Sequence, residues 1–172
     1  MITQIVLVIA AILILSVALA GLSFAPWVPA WKKDLPRIFK LAELKPGEVF
    51  YDLGCGNGKV VLYANKNFQA KAIGLEISLP LYLTCKIRQI FNYNKNLSFK
   101  FKDLYRQNLS NADVVYFFGM PDNVEKLKAK LERELKPGTR VISYVFPVVG
   151  WQEIAKDKPN PTDIAVYLYI IQ

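Results

Sequence analysis

The chain has 172 residues, 53% of them apolar, which is the length and composition of one compact domain. Its net charge of +8, from 22 basic and 14 acidic residues, comes without an arginine-rich run or a zinc-finger or RNA-binding signature, so we expect no nucleic-acid partner. Histidine is absent and there are only 2 cysteines, which excludes a disulfide framework, and we expect no metal.

An apolar segment opens the chain. No charged residue precedes Lys32, and residues 5–25 are almost entirely Ile, Val, Leu and Ala. At about 1.5 Å per residue, a helix of this length crosses the roughly 30 Å hydrocarbon core of a bilayer. Ala18-Leu19-Ala20 resembles a signal-peptide cleavage site, but no basic residue precedes the apolar run, which is also longer than a usual signal sequence. The sequence therefore predicts an N-terminal transmembrane anchor over residues 1–25.

Basic residues follow this anchor and none precedes it: Lys32, Lys33, Arg37, Lys40 and Lys45. Because basic residues are retained on the cytoplasmic side, we expect a single-pass membrane protein whose folded domain faces the cytoplasm. Residues 26–47 form a connector. Its Pro-Trp-Val-Pro-Ala-Trp run suits a membrane interface or a rigid linker, and a short helix follows from Asp34 to Glu43.

The remainder, residues 48–172, alternates strand and helix patterns. Strands are predicted at 48–53, 71–76, 97–102, 112–118 and 139–146, with helices at 57–67, 78–93 and 121–135 between them. Residues 151–156 and 164–171 flank a Lys-Pro-Asn-Pro turn and are predicted to form a terminal hairpin. This order predicts an α/β fold with a doubly wound, Rossmann-like parallel sheet and a C-terminal antiparallel hairpin.

The first strand runs into a glycine turn. Val-Phe-Tyr-Asp-Leu-Gly-Cys-Gly-Asn-Gly, residues 49–58, places Asp52 two residues ahead of glycines spaced as G-x-G-x-G, and a dinucleotide fold would instead show G-x-G-x-x-G. Glycine lets the backbone take positive φ and approach a ligand closely. This stretch resembles motif I of the class I S-adenosylmethionine-dependent methyltransferases. Their ligand carries a cationic amino group and a sulfonium, which an acid at the strand end would attract.

Acids also end the next two strands. Glu76 follows the glycines by about 20 residues, where a ribose-binding carboxylate belongs, and Asp103 could accept a hydrogen bond from the adenine amino group. Ligands of such sheets bind at the carboxyl ends of the strands, so three acids in register favour one site. The predicted cofactor-binding residues are Asp52, Gly54, Gly56, Asn57, Gly58, Glu76, Asp103 and Leu104.

The fourth strand ends in Phe-Phe-Gly-Met-Pro, residues 117–121, where this fold class places its methyl acceptor. The motif is not Asn-Pro-Pro-Tyr, which argues against methylation of exocyclic base amines or glutamine amides. The order of several pieces resembles one membrane-anchored family, the mitochondrial protein-lysine methyltransferases that modify the adenine nucleotide translocase and the c-ring protein of ATP synthase, with their prokaryotic relatives. The pieces are residues 26–30, the Asp52 motif, 118–121, 127–142, and 146–147 with Trp151.

This resemblance implies a seven-stranded methyltransferase sheet, S-adenosylmethionine as cofactor, a membrane anchor and a lysine in a membrane protein as acceptor. The acceptor would be approached past Phe118, Met120, Pro121 and Trp151; no catalytic base is identified. Two departures concern the residues before Trp151, where the family tends to have an aromatic residue and a histidine, and the glycine loop, which more often reads Gly-Ser-Gly-Asp-Gly. The alternatives are methylation of a membrane-dissolved lipid or quinone, and a membrane protein that binds the cofactor without catalysis.

Overall fold

The computed structural model describes the backbone of residues 1–172 and every side chain except that of Ser23. The helices are α1 Ile2–Ser23, α2 Leu35–Ala42, α3 Lys59–Phe68, α4 Leu79–Phe91 and α5 Pro121–Glu134, with short 3₁₀ helices at Lys32–Asp34 and Leu104–Arg106. The strands are β1 Val49–Leu53, β2 Lys71–Glu76, β3 Leu97–Phe101, β4 Val114–Phe117, β5 Arg140–Tyr144, β6 Ala155–Asp157 and β7 Val166–Ile170. Each predicted element is present. The largest shift is at residues 151–154, which are bends and irregular backbone before β6 instead of part of that strand.

The seven strands form one sheet in the order β3-β2-β1-β4-β5-β7-β6. Strands β1 to β5 are parallel, and β7 runs antiparallel to both β5 and β6. The predicted doubly wound sheet with a C-terminal hairpin is therefore confirmed. The strand order reverses between β1 and β4, so the carboxyl ends of these strands open the crevice in which ligands of such sheets bind.

The central strands are buried on both faces, which explains their nearly continuous apolar sequences. Successive side chains of β1 alternate between two cores: Phe50 packs with α2 and α3, and Tyr51 with α5. Each core contains fully buried helix residues, such as Phe39 of α2 and Leu127 of α5. Helices cover both faces, and the sheet holds the strand ends rigidly at the crevice.

Helix α1 is apolar around its whole circumference. Its residues Ile2–Leu22 have a mean hydropathy of 3.1 and are long and apolar enough to cross a membrane, a test that a signal sequence near the N-terminus also passes. The last part of the helix joins the domain. Ser16 Oγ accepts a hydrogen bond of 2.8 Å from the backbone N–H of Leu79, and Phe24, just beyond the helix, is buried.

Candidate active site

A cavity lies at the carboxyl ends of β1 and β4. Its floor is made by Asp52, the glycine loop and Glu76, and its sides by Tyr116, Phe118 and the start of α4. The end of α1 and residues 24–30 of the connector form the remaining wall. The cavity therefore combines strand-end acids, main-chain groups and aromatic side chains from elements that are distant in sequence.

Hydrogen bonds to β2 and tight turns shape the glycine loop. The N–H groups of Gly54 and Cys55 both donate to Leu75 O, at 3.0 and 2.8 Å, and Gly58 N–H donates to Cys55 O at 2.8 Å. Gly58 has a φ of +75°, and a Cβ atom there would lie 2.6 Å from Phe99 Cε1. Glycine is thus required by both the backbone angle and the packing beneath the loop.

Glu76 fastens this loop to the start of α4. One carboxylate oxygen accepts from Gly56 N–H at 2.7 Å, and the other accepts from the N–H groups of Ile77 and Ser78 at 2.9 and 2.7 Å. Burial raises the pKa of the Glu76 carboxyl, and the three backbone donors oppose that rise. A carboxylate has about four acceptor positions, so one remains for a ligand hydroxyl.

Asp52 lies beside Glu76 in the same cavity. Its side chain is buried, and no group among the described residues donates a hydrogen bond to it. Burial, followed by the nearby charge of Glu76, raises the pKa of Asp52 well above its usual value. Two buried carboxyls side by side favour a cationic ligand, because a positive charge would relieve both the burial and the repulsion. The two carboxyls therefore fit the cationic amino and sulfonium groups of S-adenosylmethionine.

The connector closes the cavity from above. Trp27 lies over the loop, with its indole Nε1 2.5 Å from the position that a Cβ atom would take on Gly56. Lys59 Nζ, at the start of α3, donates to Ala30 O at 2.8 Å, and Asn123 Nδ2 donates to Phe24 O at 2.8 Å. Sequence reasoning missed these residues, because it treated the connector as a linker or interface segment. The sequence feature that could have indicated this covering role is the tryptophan between two prolines.

Two aromatic residues of β4 and its following loop face the cavity. Phe118 stacks on Phe146 with ring centroids 6.3 Å apart. Burial, and then the charge of Asp52, raise the pKa of the Tyr116 phenol well above its usual value, so it remains protonated and can donate a hydrogen bond. Behind Tyr116, the hydroxyl of Tyr144 donates to the buried carboxylate of Asp34. Tyr116 and Phe118 make this wall of the cavity aromatic.

Not every predicted site residue lines the cavity. Asp52, Gly54, Gly56, Asn57, Glu76 and Phe118 do; Gly58, Asp103, Leu104, Met120, Pro121 and Trp151 do not. The carboxylate of Asp103 accepts from Tyr105 N–H at 2.8 Å and caps a 3₁₀ helix. Trp151 donates to Glu132 at 2.6 Å and packs edge-on against Tyr169.

Within the described side chains, no cluster of three His, Cys, Asp or Glu residues could hold a metal ion.

Comparison with known proteins gives consistent matches. A family model described as the ANTKMT methyltransferase domain matches residues 52–155. A protein-lysine N-methyltransferase of Saccharolobus islandicus is 37% identical over 155 residues, covering 85% of this chain and 93% of that protein. The adenine nucleotide translocase lysine N-methyltransferase of Mus musculus is 30% identical over 76% of this chain, but the match spans only 57% of the mouse protein.

Among solved structures, an RNA methyltransferase from Salinibacter ruber in complex with S-adenosyl-L-homocysteine superposes with a TM-score of 0.79. It is 30% identical in sequence, and the alignment covers 84% of this chain and 94% of that one. The similarity therefore spans most of both chains. Its bound product is the demethylated form of the cofactor that the acidic cavity fits.

Proposed function

The chain belongs to the family of the ANTKMT methyltransferase domain, and from that premise we propose that it methylates a lysine of a membrane protein close to the bilayer surface. The family resemblance expected from the sequence is confirmed, as are the methyltransferase class and S-adenosylmethionine as cofactor. The lysine acceptor, the membrane anchor and the cytoplasmic orientation are parts of the proposal.

Bound S-adenosylmethionine supplies a methyl group on a sulfonium, a carbon already activated for in-line displacement. In the proposal, Asp52 attracts the cationic end of the cofactor and Glu76 accepts from one of its ribose hydroxyls. The glycine loop presents main-chain groups at Gly54 and Gly56, and Trp27 excludes water above them. The protein mainly aligns the reactants, which can account for a large part of such a rate enhancement.

A lysine acceptor must arrive as the uncharged amine. An apolar surrounding lowers the pKa of a lysine because it disfavours the charged form. Phe118, stacked on Phe146, and the protonated Tyr116 supply such a surrounding beside the cofactor cavity. The chain contains no histidine that could act as a base.

The observation that carries the proposal is the position of α1 relative to the cavity. Val17, Ala20 and Gly21, in the last two turns of this apolar helix, line the cavity together with residues 24–30. A helix that crosses the bilayer and ends in the cavity wall keeps the chemistry within a short distance of the membrane. Tethering of this kind raises the effective concentration of membrane-surface acceptors, towards about the millimolar range, and keeps soluble ones out of reach.

The test is to incubate native membranes from a deletion strain with the purified protein and tritiated S-adenosylmethionine. Label in a protein band, located on methyl-lysine by mass spectrometry, is the expected result. Label extracted into chloroform would instead establish a lipid or quinone acceptor. Absence of label, with cofactor binding shown by calorimetry, would favour the non-catalytic alternative.

A matched pair of variants tests whether methylation of the membrane acceptor depends on the cavity. Phe118→Ala removes an aromatic residue of the cavity wall, and we expect it to reduce labelling more than tenfold while cofactor binding persists. Val149→Ala removes part of an apolar residue that is 73% exposed, outside the cavity and far from α4, and its labelling should match the unaltered protein. Equal labelling by both variants would contradict an acceptor site at Phe118.

A further inference from the structure

Helix α4 is apolar on the face that it turns to solvent. Leu83, Ile87, Ile90 and Phe91 are exposed by 47, 57, 73 and 82%, and their spacing places them along one side of the helix. The opposite side, centred on the fully buried Cys85, packs on the sheet. We call these four exposed residues the α4 stripe. A continuous row of large apolar side chains on a surface helix marks an interaction site.

Helix α1 contacts the beginning of α4, so the stripe starts next to the proposed anchor. The span Ile2–Leu22 has 21 residues, which corresponds to roughly 31 Å of helix, and its last two turns contact the folded domain. Ser16, which accepts from Leu79 N–H at 2.8 Å, lies about 9 Å before the end of that span. The first turn of α4 therefore lies no farther from the bilayer than the last two turns of α1.

The charge around the stripe is basic. From residue 77 to residue 102 the sequence has no acidic residue, and its basic residues are Lys86, Arg88, Lys95, Lys100 and Lys102. Such residues are attracted to anionic lipid headgroups. A second copy of this chain would bring two such surfaces together, and like charges facing each other oppose association.

We propose that the α4 stripe is a second membrane contact, which lies in the interface of an anionic bilayer beside the α1 anchor. The inference rests on the proposed anchoring of α1. Apolar side chains enter the boundary between headgroups and acyl chains, and the flanking lysines and arginine remain among the headgroups. Two contacts fix the rotation of the domain about α1, so the mouth of the cavity keeps one orientation relative to the membrane surface.

The experiment places nitroxide labels on the full chain reconstituted in vesicles of phosphatidylcholine and phosphatidylglycerol. Labels at Ile87→Cys and Ile90→Cys report on the stripe, and Ile9→Cys reports on α1. Val149→Cys, 73% exposed in the loop between β5 and β6, is the control far from α4 in the sheet. The unaltered chain, treated in parallel, measures any background from the buried Cys55 and Cys85.

Accessibility to oxygen, which concentrates in lipid, is compared with accessibility to a water-soluble nickel chelate. We expect oxygen to be favoured several-fold at positions 9, 87 and 90, and nickel at position 149. If position 9 is in lipid but positions 87 and 90 are in water, the stripe proposal is overturned while the anchor stands. If position 9 is also in water, the α1 anchor and the membrane contact of the α4 stripe are both contradicted. Shielding from both reagents, with spin–spin broadening, would show that a second copy covers the stripe and would also overturn the proposal.

Discussion

At the scale of single residues, the buried pair of acids sets the properties of the cavity. Asp52 has no donor among the described residues, whereas Glu76 is held by three backbone N–H groups. The two neighbouring carboxyls are thus unequal, since one secures the loop and the other is left for a ligand. The sequence predicted a contact with the cationic groups for Asp52 and with the ribose for Glu76, but not that Glu76 also holds the loop.

Replacing Asp52 by Asn should therefore have opposite effects on folding and on binding. The cofactor-free protein should gain about 1–2 kcal/mol of stability, because a buried carboxyl without a partner is removed. Affinity for S-adenosylmethionine should fall by about 1.5–3 kcal/mol, because an interaction with a charged group is lost. Urea unfolding and calorimetry measure the two changes. Asp113→Asn is the control: its carboxylate accepts from Val49 N–H outside the cavity, so affinity should not change.

The raised pKa of Asp52 also predicts a pH dependence. The folded, cofactor-free protein holds this proton more tightly than the unfolded chain, whose carboxyl has the usual pKa of 3.8. Stability should therefore decrease as the pH rises from that value through the raised pKa. A cationic ligand reverses the preference, so binding below the raised pKa should release a proton. Calorimetry in buffers of different ionisation enthalpy measures that release, and its absence in that range would contradict the cation contact at Asp52.

Alanine substitutions at Gly58 and Gly138 distinguish the stability cost of backbone strain from that of overpacking. Both have positive φ, +75° and +86°, but a Cβ on Gly58 would meet Phe99 at 2.6 Å, whereas nothing lies within 4 Å of a Cβ on Gly138. Gly138→Ala should cost about 1 kcal/mol from strain alone. Gly58→Ala should cost about 1–3 kcal/mol more from overpacking and should weaken cofactor binding. Equal losses in urea unfolding would show that the loop can move away from Phe99.

At the scale of elements, the connector between α1 and the first strand acts as part of the site. Phe24 packs edge-on against Tyr105 and Phe117, and Ala30 is tied to Lys59. Residues 24–30 are therefore held over the glycine loop at both ends. The proline-flanked sequence predicted a rigid segment, but not that the segment covers the cofactor cavity.

Two tryptophans of the connector test that role. Trp27 and Trp31 are 52% and 53% exposed, but only Trp27 lines the cavity; Trp31 lies beneath the ammonium group of Lys33. Trp27→Ala should weaken S-adenosylmethionine binding about tenfold, as loss of one aromatic contact with the ligand would. Trp31→Ala should leave the dissociation constant unchanged. Equal affinities in calorimetry would mean that the connector does not cover the bound cofactor.

At the scale of the whole molecule, Arg37 connects the beginning of the domain to its last strands. Its guanidinium donates to Asp34 at 3.1 Å, and to the carboxylate and carbonyl oxygens of Asp157 and the carbonyl oxygen of Ile164. Asp157 and Ile164 lie in the C-terminal hairpin, separated from Arg37 by more than half of the sequence. This contact joins α2 to the hairpin strand at the edge of the sheet and supports Asp34 behind the aromatic wall.

Arg37→Ala should destabilise the fold by about 2–3 kcal/mol, because the buried Asp34 and two part-buried acceptors lose a charged donor at once. Arg106→Ala removes an ion pair of 3.9 Å whose arginine side chain is 84% exposed, and exposed pairs contribute only about 0–1 kcal/mol. Thermal and urea unfolding of both variants measures the difference. A similar small loss in each would show that the hairpin is held without Arg37.

Local patterns in the amino-acid sequence are enough to specify the alternation of strands and helices, the glycine turn and the acids at the strand ends. These features depend on apolar periodicity, on glycine at positive φ, and on the common edge at which parallel strands end. They led to the correct sheet and to six of the residues that line the cavity, among them Asp52 and Glu76.

The long-range neighbours that complete the site are selected by tertiary packing. Phe24 and Trp27 enter it because a segment preceding β1 folds back over the loop, and no sequence period encodes that path. The same packing places Trp151 against Glu132 and Tyr169, away from the cavity that its sequence context suggested. The apolar pattern of the sequence specifies which side chains each element buries, whereas contacts between distant segments depend on how all the elements pack together.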